Sequence, residues 1–339
     1  MTSASTNLTD IANRIQTGEV TRIVALTGAG ISTAAGVPDF RTPTSGLYDQ
    51  LAPLKLPYPE AIFHINYFSH TPEPFYAIAR ARHPRNLRPT ISHAFLALLA
   101  RKNLLSFLFT QNIDSLELDA GVPAEKVLQT HGSWKAQRCH KCKVPYPDDL
   151  MQRAIRVGEV PYCLEAGCGG AVKPDVVFFG ESLPERYEVE ERRLTRKKVD
   201  LMLVMGTSLK VAPCSRLPGL IEEGVPRILI NREKVGDFGT RKGDICLLGT
   251  CDEKVRRLAD ELGWGDELEG IWAEAVGRKE ETNRRGGWDS EEEPGLEESI
   301  QKLAEKMTEA GRISQGHRRM LEQHLGEKFA HVLPRKSFG

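Results

Sequence analysis

The sequence lacks a dominant charge: forty-six Lys and Arg are balanced by forty-six Asp and Glu. Without a field of one sign, nothing draws nucleic acid or an anionic membrane surface from a distance. No apolar run approaches the ~18 residues that a membrane span requires. Residues 1–10, MTSASTNLTD, lack the charged-then-apolar layout of a secretory signal. Cysteine is sparse, seven in 339 residues, which argues against a disulfide framework. Four of the seven fall in two tight pairs, a pattern suited to metal binding in a reducing compartment. Internal repeats are absent as well. What remains is an expected intracellular protein, 40% apolar and 27% charged, with enough chain for a well-buried core.

Four short apolar runs are present: TRIVALT (21–27), LLSFLFT (104–110), LMLVM (201–205) and RILIN (227–231). They do not alternate, and helical stretches separate them, as in the buried strands of a parallel α/β sheet. ISHAFLALLARK (91–102), capped by Thr90, and CDEKVRRLADELGW (251–264), stopped by Gly263, carry apolar residues at helical spacing. The expected fold is α/β: a parallel sheet interrupted by a small inserted module at about 132–180, rich in Cys, Gly, Pro and Lys. Residues 266–339 form a charged C-terminal extension, partly helical or disordered. In it, 278–295 has the composition of a linker, and Leu296, Ile300, Leu303 and Met307 share a helical face. That segment is expected to fold back on the crevice beyond the strand ends or to act as an export signal.

LTGAGIST follows the first strand. Gly28 and Gly30 permit close backbone approach, so amides of the next turn can face a phosphate. The third glycine of the dinucleotide fingerprint is missing, with Thr33 in its place. Downstream, Asp39, Phe40 and Arg41 sit in a turn-rich stretch that suits a lid over a ligand. Cys139-x2-Cys142, then twenty residues, then Cys163-x4-Cys168 make a four-sulfur zinc set. Such a shell has no open position, so the metal is structural. His140 is expected to face solvent between the knuckles, and His131 is left outside the metal shell, free to act as a base.

GAGIST, GVPDFR, TQNID, HG, the four cysteines, VVFFGE, GTSL and NRE occur in that order over roughly residues 10–265. Together they resemble the sirtuins, NAD-dependent protein deacylases of the silent-information-regulator type. LPYPEAIFHINYF looks most like the cytoplasmic, tubulin- and histone-directed branch and its fungal members. The resemblance implies a Rossmann-like parallel sheet domain over residues 1–265 with a small inserted zinc-binding domain, NAD as co-substrate, one structural zinc, and a cleft for NAD and acyl-lysine. It implies cofactor contacts from Ala29, Gly30, Ile31, Ser32 and Thr33, and from Asp39, Phe40 and Arg41. Gln111, Asn112, Ile113 and Asp114 would receive nicotinamide and its ribose. Thr207 and Ser208 would meet phosphate and ribose, Asn231, Arg232 and Glu233 the adenosine, and Cys251 the adenine through its backbone. His131 and Asn112 would be catalytic, His131 as general base; an ordinary imidazole titrates at about 6.5, suited to that work near neutrality. Phe63, Val177, Phe179 and Val211 would line the acyl-lysine tunnel, and 173–181 would pair with the substrate backbone.

The implied reaction yields free lysine, nicotinamide and O-acetyl-ADP-ribose. Tyr76 and Arg80 are one residue too far apart for the Tyr-x-x-Arg pair of acid-acyl members, which favours acetyl or longer neutral acyl groups. Implied partners are acetylated proteins such as histones or tubulin, with neither nucleic acid nor membrane, in the cytoplasm with passage to the nucleus; the oligomeric state is open. Two other readings compete: a protein ADP-ribosyltransferase on the same scaffold, and a non-catalytic zinc-knuckle scaffold.

Overall fold

The computed structural model describes residues 7–37, 47–81, 87–285 and 296–309. Asp39, Phe40 and Arg41 lie outside the described residues. The helices are α1 (Leu8–Gln16), α2 (Leu47–Gln50), α3 (Ile65–His70), α4 (Glu73–Ala81), α5 (Ile91–Arg101), α6 (Leu116–Asp119), α7 (Asp148–Val157), α8 (Arg186–Arg196), α9 (Cys251–Glu261), α10 (Gly265–Arg285) and α11 (Leu296–Glu309). The strands are β1 (Ile23–Thr27), β2 (Leu105–Thr110), β3 (Val127–Gln129), β4 (Gly132–Cys139), β5 (Val172–Val176), β6 (Leu201–Met205), β7 (Arg227–Asn231) and β8 (Asp244–Leu248).

Six strands form one sheet in the order β3-β2-β1-β6-β7-β8, every pair parallel. The chain order reverses between β1 and β6, as in a doubly wound nucleotide-binding fold, so a crevice opens beyond their carboxyl ends. Alternation along the strands feeds two cores. Ile23 and Ala25 of β1, Leu203 of β6 and Ile228 of β7 join residues of α1, α5, α9 and α10 on one face. Val24, Leu26, Val204 and Leu229 join Tyr187 and Leu194 of α8 on the other. Residues 91–100 of α5 are all buried, as expected for a helix apolar on every side. Arg227 is wholly buried, bonded through Nε and Nη2 to both oxygens of Asp244 at 2.8 Å and through Nη1 to Asp237 at 3.0 Å.

The chain divides into two compact units. The first takes residues 1–39, 84–134 and 182–289 and holds the six-stranded sheet. The second takes 40–83, 135–181 and 290–339, so the unit containing the cysteine module is assembled from three stretches of chain. In the first, α10 lies along α5 with Leu268, Ile271 and Ala275 buried. Residues 278–285 are therefore helical, not linker. Two of their charges form ion pairs, Lys279 with Asp119 at 2.7 Å and Arg278 with Glu274. In the second, α11 packs on α4 and on the turn Ala52–Leu54, with Ile300, Ala304 and Met307 buried.

Candidate cofactor site and zinc centre

Within the first unit, the carboxyl ends of β1, β2 and β6 converge through backbone bonds. Gln111 N donates to Thr27 O at 2.9 Å, and Gly28 N donates to Met205 O at 3.1 Å. The loop after β1 presses against the loop after β6. A Cβ on Gly30 would meet Gly206 Cα at 2.6 Å, and one on Gly206, which has φ +60°, would meet the Ile31 amide nitrogen at 2.5 Å. Only paired glycines permit this approach. Ala29–Ile31 and Thr33–Ala35 are short helical turns, placed at the switch point.

The predicted polar residues interlock there. Asn112 is buried; its Nδ2 donates to Gly28 O at 3.2 Å and to Ser32 Oγ at 3.3 Å. Ser32 Oγ donates to Asp114 Oδ2 at 2.7 Å, and Leu116 N donates to the other Asp114 oxygen at 3.0 Å. Burial pushes Asp114 above its ordinary value, against these hydrogen bonds. Thr207 Oγ1 donates to Gln111 Oε1 at 2.6 Å. His131 Nδ1 lies 3.0 Å from Gln111 O. A carbonyl only accepts, so Nδ1 carries the proton and Nε2 is the bare, basic nitrogen. Burial lowers the His131 pKa below that of a free imidazole, partly offset by this hydrogen bond.

Asn231 Nδ2 donates to Glu233 O at 2.8 Å, and Arg232 and Glu233 are exposed beyond β7. Cys251 opens α9 with its thiol buried; burial pushes that thiol up to about 12. Its chemistry is thus that of a buried apolar group, with the helix-start amide available for contact. Val211 and Ser208 are half-buried in this unit.

Sequence reasoning missed a buried polar chain behind the loop. Thr90 N donates to His93 Nδ1 at 3.1 Å, and Thr90 Oγ1 lies 2.8 Å from Ile31 O. That leaves the proton of His93 on Nε2, 3.4 Å from Ser32 Oγ. Burial holds His93 down to about 4, so it is neutral. Glu117 is wholly buried, and burial, then Asp114, push it up to about 8. It keeps its proton at neutral pH. Thr27 Oγ1 donates to its Oε1 at 3.1 Å. A histidine and an acid inside apolar stretches, ISHAFLALL and SLELDAG, were the signals available.

In the second unit the four cysteines converge, their Sγ atoms all within 4.8 Å of one another. Cys139 and Cys168 are 3.6 Å apart, Cys142 and Cys163 3.5 Å. Tetrahedral zinc with Zn–S of about 2.3 Å sets its sulfurs about 3.8 Å apart, so the cluster fits the ion. Cys139 Sγ accepts Lys141 N at 3.3 Å and Cys142 N at 3.5 Å. His140 N donates to Ala171 O at 2.9 Å, joining the two knuckles. Gly170 is required by contact, since a Cβ there would stand 2.6 Å from Cys139 Sγ. Contrary to expectation, the His140 ring is half-buried, not facing solvent. It packs edge-on against Phe68, 6.0 Å between centroids, because the aromatic cluster beneath the knuckles offers an apolar wall.

Phe63 is half-buried in that cluster, edge-on to Phe178 at 6.1 Å and to Phe75 at 6.3 Å. Val177 and Phe179 flank the buried Phe178, Val177 half-buried and Phe179 exposed. The Phe179 backbone is already paired: its N donates to Phe63 O at 2.8 Å, and its C=O accepts Ile65 N at 3.0 Å.

A parallel sheet with a glycine-paired loop at its switch point and a four-cysteine cluster suit a nucleotide-binding fold with a metal-binding insert. Comparison with known proteins makes it specific. Residues 28–213 match the Sir2 family, and the chain belongs to that family. It is 56% identical over 333 residues to the NAD-dependent protein deacetylase hst2-2 of Emericella nidulans, covering 98% of this chain and 94% of that one. It is 46% identical to NAD-dependent protein deacetylase hst2 of Schizosaccharomyces pombe (78% and 79% covered) and 43% identical to mouse NAD-dependent protein deacetylase sirtuin-3 (77% and 78%).

Proposed function

We propose that this chain is an NAD-dependent protein lysine deacetylase, releasing free lysine, nicotinamide and O-acetyl-ADP-ribose from acetylated protein. The observation that carries this is the His131 imidazole, fixed by the Gln111 carbonyl with Nε2 left basic, in the same unit as the Ser32–Asn112–Asp114 cluster. Bound NAD supplies a ribose carbon with nicotinamide as its leaving group. Asn112 and Asp114 orient the nicotinamide ribose and carboxamide, held in register by Ser32. Nε2 of His131 takes the proton of a ribose hydroxyl and so makes its oxygen nucleophilic. The turn after β1 meets phosphate at Ala29 and Thr33, the Gly30 and Ile31 amides being spent on Gly206 O at 2.8 Å and Gly28 O at 3.1 Å, with Thr207 and Ser208 beside them. Asn231, Arg232 and Glu233 take the adenosine. Zinc, closed by four thiolates, orders the small unit and leaves the chemistry to the cleft.

A neutral acyl group fits the chain best. Tyr76 is wholly buried, and its hydroxyl donates to Val172 O, so it is committed to the core. Phe63, Val177, Phe179 and Val211 supply apolar surface for the acyl-lysine stem. Histones and tubulin are the proposed substrates, and cytoplasm with passage to the nucleus the proposed location, both on the likeness of residues 56–68 to that branch. Imaging of the tagged chain and deacetylation of histone and tubulin peptides test these. ADP-ribose transferred to protein without acyl-lysine would favour the transferase instead.

A further inference from the structure

Helix α10 lies beyond residues 28–213, the part that matches the family, yet it is tied to the turn after β1. Its Trp272 is half-buried and donates from Nε1 to Pro89 O at 2.9 Å. An indole N–H only donates and a carbonyl only accepts, so the direction of that bond is fixed. Pro89 is buried and has no N–H, so the carbonyl is its one polar backbone group, and Trp272 satisfies it. The indole is itself held. The Arg256 guanidinium of α9 lies over the ring, 5.8 Å from its centroid, and the buried Leu268, Ile271 and Ala275 anchor the helix.

The next residue completes the link. Thr90 Oγ1 donates to Ile31 O at 2.8 Å, and both residues are buried. The turn is thus held at Gly30 by the loop after β6 and at Ile31 by the entry to α5. Ser92 N and Oγ donate to Asp252 Oδ1 of α9 at 3.0 and 2.6 Å. Residues 89–92 are therefore bonded to α9, α10 and the turn at once. Arg88 also pairs with Glu280 of α10 at 3.0 Å, but both side chains are exposed, and such a pair contributes little. Ala34, Ala35, Pro89, Thr90, Trp272 and Val276 border one cavity of about 480 Å³. Close packing does not fill that space, so the hydrogen bonds at Pro89 and Ile31 carry the connection across it.

We propose that Trp272 is a positioning residue for NAD binding, fixing the turn after β1 through Pro89, Thr90 and the Ile31 carbonyl. This role rests on the deacetylase reading and deepens it. It concerns the phosphate end of NAD, at Ala29 and Thr33, and neither the acyl-lysine nor the base.

The test is a double-variant cycle of Trp272→Phe and Thr90→Val, read by the NAD KM and by calorimetric NAD affinity, with the KM for an acetyl-lysine peptide alongside. Trp272→Phe keeps an aromatic ring and removes the donor. Thr90→Val removes the hydroxyl, and Thr90→Ser keeps it. Trp272→Phe should weaken NAD about two- to tenfold, the worth of one hydrogen bond, with kcat and the peptide KM within about twofold. Thr90→Val should weaken NAD at least as much, and Thr90→Ser should stay within about twofold of the parent. Because both changes act on the Ile31 carbonyl, the double variant should lie within about twofold of Thr90→Val alone. Effects that multiply, unchanged NAD affinity in Trp272→Phe, equal rises in both KM values, or failure of Trp272→Phe to fold would overturn the assignment, the last two by showing a structural role alone. If Thr90→Val fails to fold, the split between the NAD and peptide KM in Trp272→Phe decides. No peptide turnover by the unmutated protein would overturn the deacetylase reading instead, and calorimetry still reads the Trp272 effect in that case.

Discussion

At the scale of single residues, the proposed reaction turns on His131. Its Nδ1 proton is committed to Gln111 O, which leaves Nε2 as the proposed base. His131→Ala should lower kcat about 10²–10⁴-fold, with NAD affinity near that of the parent in calorimetry. Because burial lowers the His131 pKa, the basic form persists to lower pH than a free imidazole allows. Activity should fall as pH drops through that lowered value, so the acid limb of the kcat profile lies below about 6.5. A limb above that value would assign the base elsewhere. The four cysteines were legible in the sequence because their spacing states their chemistry, and the structure brings them together. His93 and Glu117 were not, because a polar residue in an apolar run reads as core until its partners across the fold are known. The solvent-facing His140 failed for the same reason: the Phe68 ring that covers it comes from a distant segment.

At the scale of elements, two joints carry testable weight. Gly206 at the end of β6 has positive φ and no room for a side chain. Gly206→Ala should cost on the order of 1–3 kcal/mol of local strain and push the loop after β1 away, raising the NAD KM about tenfold for each 1.4 kcal/mol felt at the site. An unchanged KM would mean that the loop does not hold the cofactor. Arg227 ties the start of β7 to Asp244 of β8, both side chains essentially dry. Arg227→Met strands the Asp244 carboxylate and should destabilise the fold by about 3–5 kcal/mol in denaturant titration; a loss under about 1 kcal/mol would place that joint at the surface in energetic terms. The runs that became β1, β2, β6 and β7 were legible because buried parallel strands are continuously apolar. β3 has three residues, and β8 leaves Leu248 exposed at the sheet edge; neither offers such a run. The end of α10, residues 278–285, read as linker because its composition is charged and polar, whereas the buried face of that helix lies before it, at Leu268, Ile271 and Ala275.

At the scale of the whole molecule, stability is distributed between two units by different means. The first rests on two apolar faces of one sheet, with α10 as part of its cover. Truncation after Trp264 removes the buried Leu268 and Ile271 and should cost about 3–6 kcal/mol, at 1.5–3 kcal/mol for each aliphatic side chain. Unaltered thermal stability would show that cover to be dispensable. The second unit rests partly on metal. Chelation should unfold it, since structural zinc supplies about 10–16 kcal/mol in small modules. Loss of bound zinc should track loss of activity without any change in the His131 pH limb. The packing of α11 on α4 buries Ile300 and Met307 of the face that the sequence offered as an export signal or cleft cover, and leaves Leu303 half-buried.

The central claim is that the chain removes acetyl groups from lysine at the expense of NAD, with His131 as base. The most direct measurement incubates the purified protein and its His131→Ala variant with an acetyl-lysine peptide, with and without NAD, and follows products by mass spectrometry. The account predicts NAD-dependent deacetylation with equal amounts of nicotinamide and O-acetyl-ADP-ribose, lost in the variant. NAD consumed without deacetylation, ADP-ribose appearing on protein, or full turnover by the variant would contradict it.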